Sequence, residues 1–259
     1  MKLPRTAWST HFDRLSARGN VKADMDAVSR SSLTYDALER LHVSKPVDRI
    51  AFIAARCRGK RVLDIGCFDE TALVKRDTEH YLHGRISAVA NQVTGIDSST
   101  KIPAEGLRTG PNSRIVKGNG VNPILEDDVD VIVAGEFIEH IESPLEFFRN
   151  LRQRFPGKEM IISTPNGSAF ANSLLGAFRR EAQHPDHLQI FTFKILNTLC
   201  VKVGFPEWEI IPYRFYATEM ILNSRGGKRA AAIIVQKIVR MVERLCPLLS
   251  YGYIVRAKL

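Results

Sequence analysis

Glycine, carboxylates and amides recur in this sequence at one kind of place, the end of a short apolar run. Gly66 closes RVLDIG (61–66), Asp97 closes QVTGID (92–97), Asn119 closes RIVKGN (114–119), Glu136 closes DVIVAGE (130–136), and Thr164-Pro165-Asn166 closes EMIIST (159–164). Any one of them alone is explained by a turn. Their joint placement is explained by a ligand, because in open parallel sheets the strand ends are where loops and helix N-termini converge. In VLDIGC, Gly66 would let the backbone come close to that ligand, and Asp64 would hold a cationic amino group, directly or through water. Asp97 suits a ribose diol, since a carboxylate accepts hydrogen bonds from both hydroxyls. A strand, a glycine turn and an acid at the next strand end together indicate an adenosine-type cofactor.

Candidate groups for proton transfer are few. His140 falls in the loop after the fourth apolar run, beside the expected reacting group, and an imidazole with an unperturbed pKa near ~6.5 suits a general base toward a hydroxyl. The plainer role for His140 is packing or capping. His184 and His187, in HPDHL, line an acceptor pocket over the same face or simply shape a loop. Glu136 and Glu139 would orient the cofactor or the histidine. The expected catalytic pair is therefore His140 and His187.

Elements that could position these residues are readable from periodicity. Short apolar runs alternating with helical patterns predict a parallel sheet with helices on both faces. Ser143-Pro144-Leu145-Glu146 starts a helix, with Ser as N-cap, Pro at the first position and Glu three residues after the cap. Leu145, Phe148, Leu151 and Phe155 share one face of it, and Gly157 ends it. A second helix runs from Thr192 to Gly204 with Ile195, Leu199 and Val203 inward. Late strands are expected around 208–213 and 251–258. Between them Arg229–Cys246 reads as a helix closed by Pro247, with Ala231, Ile234, Val235, Ile238, Val242 and Leu245 along one side and Lys237, Arg240, Glu243 and Arg244 elsewhere. Core packing, a dimer contact or peripheral attachment to an anionic membrane would each use such a helix. The first 59 residues are helical in pattern without strands and read as a cap, so the organisation is 1–59 cap and 60–259 α/β domain, with a helical insertion at about 225–247.

Composition narrows the class. At 259 residues the chain suits one α/β domain with appendages. MKLPRTAWST lacks the apolar core of a signal peptide, and the longest apolar run, Ala230 to Val235, is far below a membrane span. Four widely spaced cysteines form no C-x-x-C pair, so neither a zinc site nor a disulfide framework is expected, and the thiols fit a cytoplasmic location. No metal is expected. The net charge of +9 raises affinity for any polyanion, but it is spread along the chain rather than gathered in one run.

Residues 60–206 resemble the class I S-adenosylmethionine-dependent methyltransferases. The matching stretches are VLDIGC, VTGIDSS, DVIVAGEFIEHIESPLEFFRNL, MIISTPN and HPDHLQIFTFKILNTLCVKVGF, with EHIESP, a helix and STPN the most specific part. The resemblance implies a Rossmann-like, doubly wound, mostly parallel seven-stranded sheet whose last strand, Tyr251–Lys258, is antiparallel. It also implies S-adenosylmethionine as cofactor, with Asp64, Gly66, Cys67 and Phe68 at the methionine part, Asp97 at ribose and Asn119 at adenine; Ser98, Gly120, Glu136 and Phe137 complete the expected cofactor-binding set. The chain keeps one glycine of the family's G-x-G-x-G, and Gly66 and Asp97 are further apart than the ~20 residues usual between glycine turn and ribose acid. Residues 70–91, with Leu82-His83, read as an extended helical segment that fills the difference. The implied activity is O-methylation of a small-molecule or sugar hydroxyl. The alternatives are a non-catalytic methyltransferase-like binding protein, for which the two missing glycines speak, and a nucleic-acid methyltransferase. Against the latter, the fourth strand ends in Ala134-Gly-Glu-Phe137 rather than N-P-P-Y or D-P-P-Y, so nucleic acid is not the expected partner. A nicotinamide dehydrogenase of the short-chain type is disfavoured because no Tyr is followed four residues later by Lys.

Overall fold

Apolar runs that cannot shed their backbone polar groups pair them with each other, and here they pair into one sheet. Its strands are β1 (Arg61–Ile65), β2 (Gln92–Asp97), β3 (Leu107–Gly110), β4 (Ser113–Lys117), β5 (Val131–Gly135), β6 (Glu159–Pro165), β7 (Glu207–Tyr213) and β8 (Gly252–Lys258). They lie in the order β3-β4-β2-β1-β5-β6-β8-β7. β4, β2, β1, β5 and β6 run parallel. β8 is antiparallel to both β6 and β7, as expected for the last strand. The structure, a computed structural model, describes residues 41–68, 78, 80–125 and 127–259, and Val43–Leu259 form one compact unit.

The sheet has eight strands where seven were expected. The additional strand, β3, pairs antiparallel with β4 at the sheet edge and carries an irregularity between Arg108 and Gly110. Its sequence LRTG has no apolar alternation because its two central residues, Arg108 and Thr109, are polar and exposed, so period-two patterning has nothing to report there.

The central strands are buried on both faces. Val131 and Val133 of β5 belong to a cluster with Ile53, Cys57, Ile86 and Val93, while the alternate residues Ile132 and Ala134 are equally buried. Since successive strand side chains point to opposite faces, both faces are covered. Ile53 and Cys57 come from α1 (Arg49–Cys57), capped by Asp48, whose carboxylate accepts from Ala51 N at 2.9 Å. The sequence pattern places this helix in the 1–59 cap; in the structure its Ile53 and Cys57 pack into the core of the sheet. The rest of that cap falls almost wholly on residues 1–40, outside the described residues. The extended helical segment at 70–91 is described only in part: its helix α2 spans Leu82–Ser87, and 69–77 and 79 lie outside the described residues.

Further helices are α3 (Pro144–Arg154), α4 (Phe170–Ala177), α5 (Phe193–Val203), α6 (Thr218–Leu222) and α7 (Gly226–Leu245). The Ser143 cap accepts from Glu146 N as its motif implies, and Phe147 joins Phe148 and Leu151 in the core. Thr192 and the left-handed Gly204 bound α5 as read. Its inward face is Phe193, Leu196, Cys200 and Val203 rather than Ile195 and Leu199, and Ile195 is exposed. The shift follows from Cys200, a free thiol that packs as a small hydrophobe and completes the helical period from Phe193. In α7 the buried residues are Ala232, Val239 and Glu243, so the apolar side containing Ile234, Val235, Ile238 and Leu245 is not a core face. Among the described residues no helix is long and apolar enough to cross a membrane.

The α5 register yields a stability test. Leu196→Ala should cost about 2–5 kcal/mol in denaturant unfolding and Ile195→Ala under ~1 kcal/mol; a reversed order would restore the face expected from the sequence.

Candidate functional site

Gly66 turns the chain out of β1 with a left-handed φ of 67°, and its N–H donates to the Ile96 carbonyl at 2.9 Å. A Cβ at Gly66 would lie 2.6 Å from the Phe137 ring, and one at Gly120 would lie 2.9 Å from it. Both glycines thus make room for Phe137, and the close approach expected of Gly66 is to that ring. The bulkier neighbours are absorbed locally. Cys67 places its sulfur where a Cβ on Gly95 would stand, and Phe68 packs with Tyr81, Ile102 and Ile115.

Asp97, at the end of β2, accepts from Phe68 N at 3.0 Å through one carboxylate oxygen and from Ser99 N at 2.9 Å through the other. These bonds tie the loop after β1 to the loop after β2. Asp64 is engaged more deeply. Its Oδ2 accepts from His83 Nδ1 at 2.9 Å, and the two side chains are 2% and 1% exposed. The other ring nitrogen of His83 lies 2.9 Å from Ser113 Oγ and 3.0 Å from Thr109 Oγ1. One oxygen of the carboxylate expected to grip an amino group is therefore committed to a buried histidine, and the overlooked strand β3 supplies Thr109 to that chain.

Glu136 leaves β5 with φ 58°, in the left-handed region that non-glycine residues rarely occupy. Its N–H donates to Ser163 O at 2.8 Å. Tyr213 OH donates to its Oε1 at 2.9 Å, and the Arg49 guanidinium stands 3.6 Å from Oε2 while donating to Ser163 Oγ at 3.2 Å. The Tyr213 ring crosses the space a side chain at Gly252 would fill. Neither Arg49 nor Tyr213 was singled out from the sequence, and only the apolar register around each of them was visible there. Glu139 is buried. Its Oε2 accepts from Thr164 Oγ1 at 3.0 Å, and its Oε1 has no partner. Burial, and next the charge of Glu136, push its pKa up to about 8.

His140 ends a short 3-10 turn, Ile138–His140. Its ring meets His187 edge to face at 4.7 Å between centroids and His184 at 5.7 Å. The loop carrying the other two histidines is held by Leu188 N and Gln189 N, which donate to the Glu139 carbonyl. Burial and His184 lower the pKa of His140; burial, His140 and His184 lower that of His187. Both rings are therefore neutral near pH 7, the state a proton acceptor needs.

One cavity of about 770 Å³ gathers these groups, within the range of small-molecule sites. Of the residues expected at a cofactor, Asp64, Gly66, Cys67, Phe68, Asp97, Ser98, Gly120, Glu136 and Phe137 line it, and so do His140, His184 and His187. Asn119 does not: it is exposed, and its side chain accepts from Val121 N in a local turn. The strand β4 ends at Lys117, two residues early, which carries Asn119 past the cavity rim. A second cavity of about 500 Å³ shares Arg49, His80, Glu136 and Tyr251 with the first and continues along Tyr213, Phe215 and Tyr216.

A methyltransferase-domain family model matches residues 37–209. No curated protein matches the chain. Among solved structures, the chain is similar to an S-adenosylmethionine-dependent methyltransferase from Archaeoglobus fulgidus, at 17% identity over 81% of this chain and 94% of that one, with TM-score 0.44. It is similar to the small RNA methyltransferase HEN1, at 17% identity over 85% of this chain and 26% of that one, with TM-score 0.52. Phosphoethanolamine N-methyltransferase 2 of Haemonchus contortus, in complex with S-adenosyl-L-methionine, aligns at 14% identity over 81% of this chain and 52% of that one, with TM-score 0.49.

The raised pKa of Glu139 sets a stability test. Its folded value lies above its unfolded one, so the native state holds the extra proton between about pH 4.5 and 8 and stability falls across that window as pH rises. Glu139→Gln should stabilise the protein at pH 8.5, by about 1 kcal/mol or more, with the gain shrinking toward pH 5. Chemical denaturation of both proteins across this range checks it; a pH-independent difference would mean Glu139 is ionised in the fold.

Proposed function

The chain belongs to the methyltransferase-domain family, and from that premise we propose that it is an S-adenosylmethionine-dependent enzyme that methylates a hydroxyl of a small-molecule or glycan acceptor. The observation that carries this reading is that Asp97 and the neutral His140–His187 pair line one cavity at the carboxyl ends of parallel strands. The cavity fits the cofactor chemically. Asp97, at the end of β2, is the carboxylate a ribose diol would meet, and Asp64, Asp97 and Glu136 line the wall with carboxylates of the kind that suit a sulfonium and an amino group. Asp64, Gly66, Cys67 and Phe68 would hold the methionine part, Asp97 and Ser98 the ribose, Gly120 the adenine side, and Glu136 and Phe137 the region of the sulfur. Bound there, S-adenosylmethionine would supply an electrophilic methyl group.

The chain's own work is alignment and proton removal. Glu136 sits where the two cavities meet, so an acceptor in the second cavity reaches the first beside it. Aromatic faces from Tyr213, Phe215 and Tyr216 alternate there with Asp48 and Arg214, a wall that suits a sugar or an aromatic alcohol. His140 would take the hydroxyl proton as the acceptor oxygen displaces the thioether sulfur at the methyl carbon, and His187, in edge-to-face contact with it, would fix the orientation of the ring. Four free thiols fit a cytoplasmic setting.

Calorimetry with S-adenosylhomocysteine tests the cofactor assignment: Asp97→Ala should weaken binding at least tenfold, about 1.4 kcal/mol. No binding by the wild type up to millimolar ligand would leave a non-catalytic member of the family. With an acceptor found by screening hydroxylated glycans and aromatics, His140→Ala should lower kcat by at least ~10²-fold and change S-adenosylhomocysteine affinity less than ~3-fold. Because its pKa is held below that of free histidine, the wild-type kcat should rise with pH below ~6.5 and be level by pH 7. A near-normal kcat in the variant would move the base to His187 or His184.

A further inference from the structure

Helix α7 is amphipathic in the opposite sense to a packing element. Polar side chains fasten it to the domain. The Glu243 carboxylate accepts from Phe215 N at 3.0 and 3.1 Å and from Tyr251 N at 2.8 Å. Arg240 donates to the Phe215 carbonyl at 2.8 Å and lies over the Tyr216 ring, and Gln236 accepts from Ala217 N at 2.8 Å. These bonds fix the rotation of the helix about its axis. Opposite them, Ile234, Ile238, Met241 and Leu245 form one stripe at 57%, 50%, 59% and 75% exposure. Their spacing of four, three and four residues keeps them on a single face. Singly exposed aliphatics need no explanation, but an aligned row of four on a clamped helix calls for a partner.

Charge selects the partner. At about 100° per residue, Lys237 and Arg244 fall along one flank of the stripe and Lys228 along the other. The one acid of the helix, Glu243, is turned inward and buried. A second copy docking through the same stripe would set these basic flanks against each other, since a two-fold contact pairs a surface with itself. Anionic headgroups would neutralise all of them. The short helix α6, which packs on α7, adds exposed Met220 and Leu222. We propose that α7 is a membrane-docking helix that lies in the interface of an anionic bilayer, its aliphatic stripe at the acyl boundary and its lysines and arginines among the headgroup phosphates. Thr218 and Met220 of α6 also line the second cavity. The proposal stands independently of the activity assigned above.

The test is co-sedimentation of the full chain with phosphatidylcholine vesicles, with and without about one quarter phosphatidylglycerol. Expected is binding to the anionic vesicles alone, reduced at least tenfold by about 0.5 M salt. The double substitutions Ile234→Asp with Ile238→Asp, and Lys237→Glu with Arg244→Glu, should each reduce it at least tenfold. All four positions are at the surface of the helix, so thermal unfolding should stay as in the wild type; if the aspartate pair unfolds, the charge-reversal pair still decides. No binding of the wild type to anionic vesicles overturns the proposal, as does undiminished binding by the charge-reversal pair. A dimer in analytical ultracentrifugation that the aspartate pair dissolves, without vesicle binding, would make the stripe a self-interface instead.

Discussion

At the end of β5 the backbone of Glu136 enters the left-handed region, and most of the site is arranged around keeping it there. Such a conformation in a non-glycine residue costs about 1–3 kcal/mol and persists where surrounding structure over-determines it. Here the determinants come from four other elements: Arg49 at the start of α1, Ser163 in β6, Tyr213 at the end of β7, and Gly252 in β8, whose lack of a side chain lets the Tyr213 ring cross to the carboxylate. The strain is thereby distributed over the sheet. Its product is a carboxylate held at the junction of two cavities, with the 3-10 turn to His140 directly behind it.

The remaining buried charges are handled by pairing or by protonation. The Asp64–His83 pair is sealed from water and continued by Ser113 and Thr109, which braces β1 against β4 and β3 at the point where the chain turns into the cavity. Glu139 has one hydroxyl partner and an unpartnered oxygen, so the proton stays on it into the neutral range. At His140 and His187 burial comes first and the neighbouring imidazoles second in disfavouring protonation. Neutral histidines near pH 7 thus follow from packing as much as from residue type.

The helix α7 reverses the usual division of labour. In most surface helices aliphatic residues face the core and polar ones face water. Here bonds accepted by Glu243 and Gln236 and donated by Arg240 hold the inner face beside Ala232 and Val239, and the large aliphatic residues occupy the outer one. Amphipathic patterning reports that a helix has two faces; the interior supplied by the loop Phe215–Ala217 decides which of them is inside.

Strand ends and helix caps were legible in the sequence because they depend on local rules. Apolar runs of four to seven residues specified the central strands, and Ser143, Thr192 and Gly204 bounded their helices through hydrogen bonds within a few residues. Asp97, Gly66, Glu136 and His140 could be placed together because parallel strands bring their carboxyl ends to one edge. Tertiary structure alone decided the rest. Whether Ile195 or Leu196 faced inward turned on Cys200. Whether Asp64 was free turned on His83, and whether Asn119 reached the cavity turned on where β4 stopped pairing. Arg49 and Tyr213 meet Glu136 across long stretches of sequence, a relation with no periodicity to record it. Such outcomes are set by non-local competition for burial and for hydrogen-bond partners, in which each residue's environment is made by chain segments that its own sequence neighbourhood does not contain.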